Sequence, residues 1–80
     1  MAFKCTIVTP LACLFSAEVT KVILPGKSGQ FTILTGHAPV LALLTKGTID
    51  VAVSEKDRKQ FVINKGVVEH KNNECVVMCD

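Results

Sequence analysis

Val19-Thr20-Lys21-Val22-Ile23-Leu24-Pro25-Gly26-Lys27-Ser28-Gly29-Gln30-Phe31-Thr32-Ile33-Leu34-Thr35-Gly36 holds two short alternating runs, each closed by a glycine turn. Val19, Lys21 and Ile23 alternate with Thr20, Val22 and Leu24, and Phe31 and Ile33 oppose Thr32 and Leu34. A period of two carried by β-branched and aromatic residues reads as strand. Glycine supplies positive φ at little steric cost, so Pro25-Gly26, Ser28-Gly29 and Thr35-Gly36 read as turns.

The same grammar extends outward. Phe3, Cys5 and Ile7 alternate with Lys4 and Thr6; Ile49, Val51 and Val53 alternate with Asp50, Ala52 and Ser54; Phe61 and Ile63 oppose Val62 and Asn64. Lys46-Gly47, Lys65-Gly66 and Asn72-Asn73 add turns, and Ser54 to Lys59 reads as a polar hairpin tip. No stretch keeps a period of 3.6 over eleven residues. Val40-Leu41-Ala42-Leu43-Leu44 is short and bounded by Pro39 and Gly47, and it reads as a strand buried on both faces. Eight to ten short strands with frequent turns predict an all-β sandwich or flattened barrel. The 80 residues predict one domain, 1–80.

Composition excludes several classes. With 49% hydrophobic residues the chain has enough apolar surface for a core. A net charge of +2, without clustered Lys or Arg, gives no footprint for nucleic acid. A base-stacking platform needs exposed aromatics next to basic residues, and the only aromatics, Phe3, Phe15, Phe31 and Phe61, all lie in apolar strand patterns, so none is expected. The longest apolar run, Ala38 to Leu44, is far short of the ~20 residues that span a bilayer. The N-terminus lacks a signal layout. The expectation is a soluble, cytoplasmic chain that meets a membrane only through a partner.

Nothing points to catalysis, a metal or a cofactor. The cysteines Cys5, Cys13, Cys75 and Cys79 form no C-x-x-C pair. On one strand, Cys75 and Cys79 would share a face but stand ~13 Å apart, too far for a disulfide or a shared zinc. Reduced thiols used as small hydrophobes are expected. His37 lies in a turn and His70 near a hairpin tip, neither marked as a base beside a nucleophile. The carboxylates are scattered. Gly26-Lys27-Ser28 has Lys21 where a phosphate-binding loop needs glycine.

Leu24-Pro25-Gly26-Lys27-Ser28-Gly29-Gln30-Phe31-Thr32-Ile33-Leu34-Thr35-Gly36-His37-Ala38-Pro39-Val40-Leu41 resembles the signature of the F-type ATP synthase epsilon subunit family. Ile7-Val8-Thr9-Pro10 and Phe15-Ser16-Ala17-Glu18-Val19 upstream, and Lys46-Gly47-Thr48-Ile49 and Asn64-Lys65-Gly66-Val67-Val68-Glu69 downstream, are similar to its other strands. The resemblance implies a sandwich of about ten strands. It also implies a non-catalytic place on the central stalk, between the gamma subunit and the membrane c-ring, at the cytoplasmic face of the cell membrane. There the subunit would help couple ion translocation to ATP synthesis.

Residue by residue, the resemblance implies that Lys27, Ser28, Gly29 and Gln30 match the loop that meets the c-ring, and that His37 lies beside that surface. It implies that Thr9 and Ala42, with the neighbouring Leu41, match gamma-facing positions. Thr32 and Thr35 stand where the family usually has Gly and Pro, which predicts a straighter strand. Gln30 stands where many relatives carry an acid, which predicts a neutral contact in place of a charge-assisted one. The sequence stops at Asp80, where the family usually continues as a helical hairpin that can inhibit ATP hydrolysis, so coupling without that brake is expected. The competing expectation is a free-standing β adaptor that binds a peptide by strand addition.

Overall fold

The computed structural model describes Met1 to Asp80 and contains nine strands and no helix. They are β1 (Phe3–Val8), β2 (Cys13–Val19), β3 (Lys21–Gly26), β4 (Gly29–Leu34), β5 (Val40–Leu44), β6 (Gly47–Ala52), β7 (Arg58–Ile63), β8 (Gly66–Lys71) and β9 (Glu74–Cys79). Nine lies within the range read from periodicity and is one fewer than the resemblance implies.

One hydrogen-bonded path, β2-β1-β9-β8-β5-β3-β6-β7 with β4 beside β3, folds over into two layers. The first layer is β2-β1-β9-β8-β5 and the second is β7-β6-β3-β4. They join at one corner, where Gly26 of β3 pairs with Leu44 of β5. Backbone bonds from Lys27 N to Leu43 O (2.9 Å) and from Thr45 N to Pro25 O (2.8 Å) reinforce that corner. Across the open side, Phe15 of β2 and Phe61 of β7 meet with ring centroids 5.7 Å apart. Every pairing is antiparallel except β1 with β9.

Alternation places one side chain in two inward. Phe3, Cys5 and Ile7 of β1, Val22 and Leu24 of β3, Ile49 and Val51 of β6, and Cys75, Val77 and Cys79 of β9 fill a single core. Each such aliphatic or aromatic side chain contributes about 1.5–3 kcal/mol when fully buried. Pro25-Gly26, read as a turn, is instead the end of β3, paired with Gln30 and Gly29, and the turn falls on the next two residues; other turns follow the predicted chemistry. Asn72 and Asn73 take φ of 51° and 55° between Lys71 and Glu74, matching the right-handed twist of the hairpin they close. Lys27 and Ser28 close β3 onto β4, with Gly29 at φ 131°.

Two strand expectations need correction. The alternation from Val19 to Leu24 is not one strand. It breaks at Thr20, whose backbone N and side-chain Oγ1 both donate to the Ala52 carbonyl, at 2.8 and 3.0 Å. This break carries the chain from one layer to the other and changes the parity, so Val19, Val22 and Leu24 all point inward. Val40–Leu44 is a strand, but it is not buried on both faces, since Leu41 is 71% and Leu43 59% exposed. β5 is the last strand of the first layer, and nothing covers the outer face of that layer.

A candidate docking face

The outer face of the first layer carries an apolar row that crosses four strands. Leu43 on β5 is opposite Val67 on β8, Val67 is opposite Met78 on β9, and Met78 is opposite Val8 on β1. Leu43 and Met78 are exposed, and Val8 and Val67 are half-buried. Strand register alone builds the row, because each side chain sits at an outward position of its own alternation. At the end of the sandwich near Asp80, the row opens into a concavity of about 690 Å³. Thr9, Pro10, Lys27 and Lys65 border it.

The outer face of the second layer differs. Its matching row runs Gln60, Asp50, Ile23, Thr32 across β7, β6, β3 and β4. Arg58 Nη2 donates to Asp50 Oδ1 at 3.1 Å on that face. Its exposed apolar residues, Val62 and Leu34, stand on opposite edge strands. One face is therefore suited to cover by a partner and the other to water.

Residues 2–80 match the family described as ATP synthase, Delta/Epsilon chain, beta-sandwich domain. The chain belongs to that family. The ATP synthase epsilon chain of Chlorobium limicola is 43% identical over 79 residues, covering 99% of this chain and 90% of that relative. That of Chlorobaculum tepidum is 38% identical over the same coverage. That of Sulfurimonas denitrificans is 34% identical over 77 residues, and there the match spans 59% of the relative. A Euglena gracilis mitochondrial ATP synthase structure, which includes F1 and the c-ring, holds a chain that superposes with a TM-score of 0.91 at 16% identity. The superposition covers 98% of this chain and 50% of that one. At that identity the likeness shows the fold alone.

In this delta/epsilon sandwich, the residues expected at interfaces fall into two places. Lys27 and Ser28 form the exposed β3–β4 tip, and Gly29 and Gln30 follow it, also exposed. That tip borders a shallow groove with Leu41 and Ala42 of β5, Leu41 exposed and Ala42 half-buried. Thr9 lines the larger concavity together with Lys27. Its Oγ1 accepts from Leu11 N at 3.3 Å and Ala12 N at 3.1 Å, which shapes the β1–β2 turn and leaves Leu11 96% exposed. The structure thus sets Lys27, Ser28 and Gly29 in one groove with Leu41 and Ala42, and Lys27 in one concavity with Thr9. His37 is not with them. β4 runs about 17 Å at 3.4 Å per residue and carries the chain away, so His37 sits in an exposed loop at the opposite end.

Val8, Leu43, Val67 and Met78 were not singled out as a group by sequence reasoning. Their outward parity is visible in each alternation, but their alignment depends on the parallel β1–β9 pairing, which joins the two ends of the chain. The same pairing sets Cys5 directly opposite Cys75, both buried. A hydrogen bond to Cys75 and burial push the Cys5 thiol well above the ordinary thiol range. Burial, with the Asp80 charge adding to it, raises Cys79 as well. Cys13 alone is exposed. Titration with a colorimetric disulfide reagent is therefore expected to find one fast thiol in buffer and all four in denaturant. Two or more fast thiols in buffer would contradict the buried placements.

Proposed function

We propose that this chain is a non-catalytic rotor subunit of a rotary F-type ATP synthase, seated on the central stalk between the gamma subunit and the c-ring. In that seat it couples ion translocation to ATP synthesis. The observation that carries the reading is the apolar row Val8–Met78–Val67–Leu43 on one face of a two-layered sandwich. A stable protein interface buries about 800 Å² on each partner, and this row with its bordering concavity gives such a contact a dry centre and a Lys-bearing rim. A sandwich joined through a backbone-bonded corner is stiff, as transmission of torque requires. A thin domain of this size also gains stability from its bound partner. Family membership and the epsilon-chain relatives support the same assignment.

In this reading the face of the first layer meets the gamma subunit, with Thr9, Leu41 and Ala42 at its margin. The Lys27–Gln30 tip meets the polar loops of the c-ring, and His37 lies on a separate end. The chain is peripheral, at the cytoplasmic side of the membrane, and it holds no cofactor. Affinity purification of the intact ATP synthase from native membranes tests the assignment. The chain should come down with gamma and c subunits, and its consistent absence would reject the proposal.

The tip makes its own prediction. Gln30 is exposed and neutral, so Gln30→Glu places a charge at the ring contact. Against a basic ring loop, attachment should tighten by about 0.5–1 kcal/mol at low ionic strength, and the gain should fade as salt rises. Binding to the reconstituted ring, measured across a salt series, reads this directly. An affinity indifferent to salt would remove Gln30 from the contact.

A further inference from the structure

The end of the sandwich that carries the Asn72–Asn73 turn hides a histidine that the docking role does not use. His70 of β8 is 0% exposed, and neither ring nitrogen has a hydrogen-bond partner. Its ring lies edge-on to Phe3, with centroids 5.4 Å apart at 84°, and edge-on to His37, 5.9 Å apart at 87°. Its strand neighbours are Val40 on β5 and Cys75 on β9.

The elements packed around it offer no counter-charge. From β1 the inward groups are Phe3 and the Cys5 thiol, from β9 the Cys75 thiol, and from β5 only apolar side chains. From the loop comes His37, itself basic. The charged residues nearby, Lys4, Glu69, Lys71 and Glu74, are at exposed positions, and Lys71 Nζ pairs with Glu69 Oε2 at 3.8 Å outside the core. A neutral imidazole here already lacks partners. An imidazolium would add a bare charge and a second unpaired N–H in an apolar setting.

We propose that His70 makes this end of the sandwich an acid-sensitive latch: when it takes up a proton the ring leaves the core, and the His37 loop and the β8–β9 turn open with it. Those segments are tied to one another directly above His70. Gly36 N donates to Asn73 Oδ1 at 2.9 Å, Lys4 N to Asn73 O at 3.1 Å, and His37 N to Leu34 O at 3.0 Å. His37 Nδ1 lies 2.6 Å from its neighbour's Ala38 carbonyl, which fixes the ring beside His70.

Burial lowers the pKa of His70 below its ordinary value, and the His37 charge pushes the same way. The unfolded chain therefore binds the proton more readily than the folded one. The stabilisation is complete above the unfolded-state value, about 6.5, and is lost progressively as pH falls below it towards the folded-state value.

Denaturant unfolding of the 80-residue chain at pH 7.5 and 5.5, alongside His70→Val, tests the latch. For a ring that stays neutral when folded, acidification should raise the wild-type unfolding constant by up to about tenfold more than that of His70→Val. The protection factors of the Gly36 and His37 amides, which take out the slowing of intrinsic base-catalysed exchange, should fall over the same range in the wild type and not in the variant. His37→Gln should keep most of the wild-type drop. Equal pH dependence in wild type and His70→Val, or loss of the whole drop in His37→Gln, would overturn the assignment. If His70→Val fails to fold, the NMR titration of the wild-type ring decides: a midpoint below about 6.5 supports the latch, and one at or above 6.5 refutes it.

Discussion

Gly26→Ala is expected to lower stability by about 3 kcal/mol, the upper end of the usual overpacking range. A Cβ at Gly26 would stand 2.5 Å from the Gly29 carbonyl oxygen and 2.9 Å from two ring carbons of Phe31. The nearer obstacle is backbone, held by the β3–β4 pairing of Gly26 with Gly29, so it cannot swing aside as a side chain does. Gly26 is also the residue through which β3 passes from β6 to β5, and so joins the layers. Strain there loosens both. Small domains sit at the low end of the usual 5–15 kcal/mol of stability, so the variant should show a large fall in urea midpoint at unchanged slope. Gly29→Ala, with nothing within 4 Å of its Cβ but a φ of 131°, meets conformational strain instead of a clash and serves as the comparison.

Leu43→Asp is expected to leave the fold intact and to weaken binding of the gamma subunit by about 3 kcal/mol, roughly a hundredfold in Kd. Leu43 is 59% exposed in the free chain, so the carboxylate stays hydrated there. In the complex it would be desolvated at the β5 end of the row, between the partner and Val67, with only the rim lysines Lys27 and Lys65 nearby. Thr32→Glu, on the polar outer face of the second layer, should have little effect on the same titration. Titration calorimetry of both variants separates the two faces, and circular dichroism checks that Leu43→Asp folds. Equal losses from both variants would count against assigning the contact to the first layer.

The strands were legible because their information is local. Alternation in β1, β4, β6 and β7, and the glycine and asparagine turns at 28–29, 46–47, 65–66 and 72–73, required no knowledge of tertiary partners. What failed was non-local. The exposure of Leu41 and Leu43 depends on β5 ending its layer, and an apolar pentapeptide reads the same whether a second layer covers it or water does. The break at Thr20 depends on the Ala52 carbonyl, more than thirty residues away.

The candidate site shows the same division. The Lys27–Gln30 tip was found from its turn chemistry and family resemblance. The Val8–Met78 contact and the Cys5–Cys75 adjacency come from a parallel pairing of the first and last strands, which leaves no periodic trace. His70 looked like a residue beside a turn, and its parity on β8 turned it inward against Phe3.

The most direct test is site-specific photo-crosslinking within the purified ATP synthase. A photoreactive amino acid is placed in turn at Leu43, Met78, Thr32 and Gln60. Cross-links to the gamma subunit from Leu43 and Met78, and none from Thr32 and Gln60, are the predicted result. Gamma cross-links confined to Thr32 and Gln60, or none from any position in an intact enzyme, would contradict the docking face.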